Sequence, residues 1–131
     1  MSGSVLVKSR FKNYRRYAVQ LQSDFENYKR RWERERLKIE ERERARVLKE
    51  ILPVLDELEL GGRHVKEMAL ISENLRKTLE KEGLREVSVE QFDPEKHEVV
   101  QAEKNGVRLE VVRKGYELNG VLLRPALVKI T

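Results

Sequence analysis

His97 stands in the run Asp93-Pro94-Glu95-Lys96-His97-Glu98, where an imidazole among carboxylates has the elements of a metal site or an acid–base pair. His64 is the only other histidine. Metal chemistry at these residue types needs a second ligand at fixed spacing, as in H-E-x-x-H, and neither histidine has one. No glycine-rich phosphate loop and no G-x-S-x-G elbow occurs. The chain has no cysteine, which excludes disulfides and thiolate zinc sites. No catalytic residue, no metal ligand and no cofactor is therefore expected, and His97 is read as fixing a loop turn. An enzyme gives way to a binding module.

Charge and length limit what such a module is. The 131 residues include 28 Lys+Arg against 23 Asp+Glu, and 39% are hydrophobic, low for one globule and high for a disordered tail. Residues 1–64 hold 16 basic and 11 acidic side chains, whereas residues 65–131 hold 12 of each. No run approaches the roughly 18 to 20 apolar residues of a membrane span, and no basic-then-apolar leader opens the chain. A cytoplasmic product with no membrane partner is expected.

From Phe11 to Leu60 the only helix breaker is Pro53. One helix over that stretch would reach roughly 75 Å, too long to lie against so small a chain. Ala18, Phe25, Trp32 and Ile39 recur every seven residues, with Tyr14, Leu21 and Tyr28 between them, which is the seam of a parallel coiled coil. The seam turns polar at Glu35, Arg42 and Arg46, so pairing there is expected to be loose and heat-labile. Residues 29–50 hold 10 basic and 6 acidic side chains. They read as a solvated face with i,i+4 pairs such as Glu26 with Arg30 and Glu40 with Arg44. A basic track for nucleic acid is the alternative, opposed by glutamates that would repel phosphates.

After Val47 the apolar stripe widens through Leu48, Ile51, Leu52, Val54, Leu55 and Leu58. Pro53 is expected to kink the helix, and Gly61-Gly62 to end it with positive-φ residues. A second helix is expected over residues 65–82, with Val65, Met68, Ile71 or Ser72, Leu75 and Leu79 on one face and Gly83 as its stop. Two copies of this hairpin would form a four-helix bundle. Beyond Gly83 the period becomes two. Val87 and Val89 suggest one strand, Val107, Leu109 and Val111 another, and Leu127 to Ile130 a last one, set at an edge or a bulge by Pro125. Asn105-Gly106 and Asn119-Gly120 both read as hairpin turns. The expected fold class is α+β, in three parts: a coiled-coil helix over 1–46, a helical hairpin over 47–84 and a small all-β domain of four to six strands over 85–131.

Several separated runs resemble the GrpE family, nucleotide exchange factors of the DnaK-type chaperone. They are Phe92-Asp93-Pro94-Glu95-Lys96-His97-Glu98, Val111-Val112-Arg113-Lys114-Gly115-Tyr116-Glu117-Leu118-Asn119-Gly120 and Leu123-Arg124-Pro125-Ala126-Leu127-Val128. Upstream, Asp24-Phe25-Glu26-Asn27-Tyr28-Lys29-Arg30-Arg31 and Ile51-Leu52-Pro53-Val54-Leu55-Asp56-Glu57-Leu58 match in the same order.

The resemblance implies a homodimer in which one β domain enters the chaperone's nucleotide-binding domain, opens its cleft and speeds ADP release. It also implies a part in the heat-shock response, with the long helices as a thermosensor and no nucleic-acid partner. On the family's pattern the chaperone contacts fall on Lys29, Lys38, Val99, Val112, Val121 and Ile130. Arginine is frequent in the family at Val121 and alanine at Val99, and Arg124 is the nearby substitute for the charged anchor. The dimer interface is expected at Leu21, Phe25, Tyr28, Trp32 and Ile39 on the long helix, and at Ile51, Leu55, Leu58, Leu75 and Leu79 in the bundle. The family's acidic leader is absent before Met1-Ser2-Gly3-Ser4, so a truncated start is expected.

Overall fold

Helix α1 runs from Ser2 to Gly62 in the computed structural model, which describes residues 2–131. Met1, where the expected truncated start begins, lies outside them. The chain forms two compact units, Met1–Glu43 and Arg44–Thr131.

In the first unit the helix begins well before the expected Phe11, and every side chain from Val5 to Glu43 is exposed. An isolated helix with Tyr14, Leu21, Phe25, Tyr28 and Trp32 all in water gains nothing from burial, so its apolar stripe lacks a counterpart within this unit. An i,i+4 ion pair does form on it, Arg36–Glu40 at 3.9 Å, in place of the two expected pairs. In the second unit Arg46 pairs with Glu50 at 3.4 Å in the same way.

The second unit begins in α1 and adds α2 (Lys66–Lys81) and six strands. Pro53 lies inside α1 and does not end it. Leu52 and Leu55, both fully buried, fasten the helix on either side of it. Gly61 and Gly62 end α1 as expected, but they are still helical and neither has the expected positive φ. Their lack of a side chain serves close approach instead. A Cβ on Gly62 would lie 2.8 Å from the Ala69 Cα, which is backbone, whereas one on Gly61 would meet only the flexible end of the Met68 side chain. The reversal is made just afterwards, where Val65 N–H donates to the Gly61 carbonyl at 2.9 Å. On α2 the choice between Ile71 and Ser72 falls to Ser72, which is buried with its hydroxyl donating to the Ala69 carbonyl at 2.9 Å. Gly83 stops α2 at φ +101, as its position predicts.

The strands form two three-stranded sheets. The first has the order β1-β4-β5, with β1 Leu84–Glu86, β4 Tyr116–Leu118 and β5 Val121–Arg124, all antiparallel. Strand β1 therefore precedes Val87 and Val89, which lie outside it. Asn119 (φ 49) and Gly120 (φ 84) turn β4 into β5 with both residues left-handed, as a two-residue hairpin requires. The second sheet has the order β2-β6-β3, with β2 His97–Ala102, β3 Leu109–Arg113 and β6 Ala126–Ile130. Here the expectation fails twice. Asn105-Gly106 does not join a hairpin, because β6 lies between β2 and β3, parallel to β2. Strand β6 is central, so of its two expected places the edge fails, while each of its pairings carries a register shift; Pro125, just ahead of its first residue, leaves the ladder donors intact.

One core joins the helices to the first sheet through Leu48, Leu52, Leu55, Leu79, Leu84, Tyr116, Leu118 and Leu123. A smaller one, Val87, Ala126 and Val128, supports the second sheet. Alanine normally stabilises a helix by about 1 kcal/mol over glycine. Gly62→Ala should instead destabilise the protein by about 1–3 kcal/mol, because its Cβ meets backbone. A fall in the urea midpoint checks this, and a rise would show that α2 yields freely.

Candidate functional site

The first sheet is fastened to α1 by polar contacts that centre on Arg124. Arg124, at the end of β5, donates Nη1 and Nη2 to the two carboxylate oxygens of Asp56, each at 2.6 Å. Its Nε donates to the Lys114 carbonyl at 2.8 Å, and its guanidinium lies 5.3 Å from the Tyr116 ring centroid. Lys114 in turn pairs with Glu59, one turn along α1, at 3.3 Å. All three nitrogens of Arg124 are thus used inside the chain, and only 7% of the residue is exposed. A planar fork matched to a carboxylate fixes orientation as well as distance. Arg124 is therefore an internal fastening, in contrast with its expected place as an outward anchor.

Tyr116 sits beneath it, 1% exposed, with no hydrogen-bond partner for its hydroxyl among the described residues. Burial pushes its phenol well above the ordinary tyrosine value, and the carboxylates Glu59, Glu86 and Asp56 add to the effect.

His97 also acts inward. Its Nδ1 accepts from the Asp93 N–H at 3.0 Å, and its Nε2 lies 2.7 Å from the Ser88 carbonyl, so the neutral tautomer with the proton on Nε2 satisfies both. The Asp93 side chain accepts from Glu95 N–H at 3.0 Å, completing the turn. Among the described residues no group of three or more His, Cys, Asp or Glu is placed to hold a metal ion.

The remaining candidates face outward to different degrees. Val99 on β2, Val112 on β3 and Ile130 on β6 lie in one sheet, whereas Val121 begins β5 in the other. Val99, Val112 and Val121 are exposed, Val121 to 61%, and Ile130 is half-buried. The register of β3 against β6 skips between Val111 and Arg113, which makes Val112 the extra residue of a bulge. A bulge re-aims its side chain out of the ladder, and bulges concentrate next to functional sites. Val100 occupies the matching position on β2, half exposed at another register shift, and sequence reasoning missed it because a bulge leaves no local signal. Lys29 and Lys38 are exposed on the first unit.

Of the expected pairing residues, Leu21, Phe25, Tyr28, Trp32 and Ile39 are exposed. Leu55 and Leu79 are not available, since this chain's own core covers them. Ile51, Leu58 and Leu75 are half-buried, and the exposed Val47 and Val54 extend the row of Ile51 and Leu58 along α1.

Comparison with known proteins places this architecture. The GrpE family model matches residues 6–131. The chain is 32% identical over 130 residues to Protein GrpE of Methanothermobacter thermautotrophicus, covering 91% of this chain and 75% of that protein. It is 34% identical over 125 residues to Protein GrpE of Campylobacter curvus, covering 82% and 70%. With Protein GrpE of Corynebacterium diphtheriae it shares 38% over 119 residues, covering 84% and 54%.

Two substitutions separate the fastening from its surroundings. Arg124→Leu leaves the Asp56 carboxylate without its partner and should cost about 3 kcal/mol, read from chemical denaturation. Tyr116→Phe removes a hydroxyl that has no partner, so stability near neutral pH should stay within about 1 kcal/mol of the parent. Below about pH 10 the phenol keeps its proton in both folded and unfolded chains. Above that the unfolded chain releases it first, so stability falls as pH rises. Tyr116→Phe should flatten that alkaline limb, and an unchanged limb would show that Tyr116 is not its source.

Proposed function

Because this chain belongs to the GrpE family, we propose that it is a co-chaperone that binds the nucleotide-binding domain of a DnaK-type chaperone and accelerates ADP release. The observation that carries this reading is the extent of the family match, which takes in the exposed helical seam and all three strands bearing Val99, Val112 and Ile130. No bond is made or broken in such a reaction. The exchange factor binds the open form of the cleft more tightly than the closed, nucleotide-bound form, because equal affinity would shift nothing. By linkage, ADP weakens the exchange factor's own binding by the same factor.

The proposed contact is apolar. Val112 and Val121 offer exposed side chains, Val99 and Ile130 extend the area, and Arg124 holds β5 in place rather than reaching the partner. Lys29 and Lys38 add charge on the long helix. The protein works as a homodimer in the cytoplasm, paired through Leu21, Phe25, Tyr28, Trp32 and Ile39 and through the row Val47, Ile51, Val54 and Leu58. An exposed stripe of this length and period matches a second copy of itself. The polar seam at Glu35, Arg42 and Arg46 makes that pairing the first part to loosen on heating.

Release of a fluorescent ADP from a DnaK-type chaperone tests the activity: the full chain should accelerate it, and no acceleration at saturating concentration refutes the reading. Val112→Asp with Val121→Asp should weaken chaperone binding at least tenfold, since desolvating two carboxylates in an apolar contact costs well over 1.4 kcal/mol. Both sites are exposed, so these variants should keep the parent's urea midpoint. Phe25→Glu with Trp32→Glu should halve the mass seen in sedimentation equilibrium; an unchanged mass would place pairing elsewhere.

A further inference from the structure

The whole formal charge of +5 resides in one short stretch of α1. Lys8, Arg10, Lys12, Arg15 and Arg16 are the only charged side chains in residues 5–23, and residues 24–131 hold 23 basic and 23 acidic ones. Unlike Arg36, Arg46 and Arg76, none of these five cations makes an ion pair or a hydrogen bond among the described residues. Lys8, Lys12, Arg15 and Arg16 follow i, i+4, i+7, i+8 spacing and share one face of the helix. Lys12, Arg15 and Arg16 line a shallow depression there with Val19 and Gln20. Val7, Phe11, Tyr14, Ala18 and Leu21, at alternating fours and threes, lie about a third of a turn away and continue the seam of Phe25 and Trp32.

We propose that the Lys8–Arg16 face binds the phosphate backbone of a double-stranded nucleic acid, without reading its sequence. The glutamates that argue against such a role in residues 29–50 do not occur before Asp24. A cluster of unneutralised cations along one helix face is the electrostatic footprint that releases counterions from a polyanion. Adsorption to an anionic membrane would require the helix to bury its apolar arc in lipid. That arc continues the seam proposed above to pair with a second copy, and the preference for nucleic acid over lipid rests on that pairing. The contact does not depend on the exchange activity.

The test is fluorescence anisotropy of the full chain with labelled duplexes of about 20 base pairs, one DNA and one RNA, between about 50 and 200 mM salt. Four neutralised phosphates give a slope near −3.6, so affinity for a bound duplex should fall roughly 150-fold across that range. The variant Lys8→Gln/Lys12→Gln/Arg15→Gln/Arg16→Gln should bind at least tenfold more weakly at the low salt, with the slope reduced nearly to zero. Its helical circular dichroism and its ADP-release activity should match the parent's, which separates this inference from the exchange reading. Removing four cations elsewhere, by Arg30→Gln/Arg31→Gln/Arg34→Gln/Arg36→Gln, should change duplex affinity by no more than about threefold. Three results would overturn the proposal: no duplex binding at low salt, equal losses from both quadruple variants, or capture by phosphatidylserine vesicles through the same four residues without duplex binding.

Discussion

The bidentate contact between Asp56 and Arg124 joins residues 68 positions apart and makes a helix and a β hairpin into one body. The leucines around it, Leu52 and Leu55, supply burial but no direction, because apolar contact is satisfied by many orientations. A guanidinium fork on a carboxylate is satisfied by very few. With Nε held by the Lys114 carbonyl and the Tyr116 ring beneath, the end of β5 has one position relative to α1. The placement of the first sheet on α1 is set there.

Much of this was legible in the sequence wherever the controlling interaction is local. Asn119-Gly120 was read correctly because a two-residue turn is decided by the φ of its own residues. The same dipeptide at Asn105-Gly106 misled, since whether two strands pair depends on what lies between them, and β6 arrives 20 residues later. Gly61-Gly62 marks the end of α1 correctly, yet neither φ is positive, and the pressure on Gly62 comes from the Ala69 backbone across the hairpin. Arg124 was misplaced for the same reason: nothing near it in sequence announces Asp56. The long helix and the Gly83 stop are visible because helix propensity and cap are properties of a few consecutive turns.

The candidate surface shows a division of labour. Side chains that hold the unit together, Arg124, Tyr116 and His97, have their polar atoms turned inward or spent on backbone. Among the exposed strand residues, the candidate contacts Val99, Val112 and Val121 are small, branched and uncharged. Branched side chains lose little rotamer freedom when covered, so an apolar contact made with them keeps most of its gain. Placing Val112 on a bulge adds direction to a residue that has no polar atom with which to aim itself.

Strand β6 lies between β2 and β3 although the chain makes it last of the three. As the polypeptide emerges from the ribosome, β2 and then β3 must wait with open backbone edges for a common partner still to be synthesised. Pairings of this non-local kind form slowly, and the interval exposes apolar strands to other nascent chains. A protein assigned to the machinery that manages unfolded chains thus passes, during its own birth, through a state that such machinery exists to shelter.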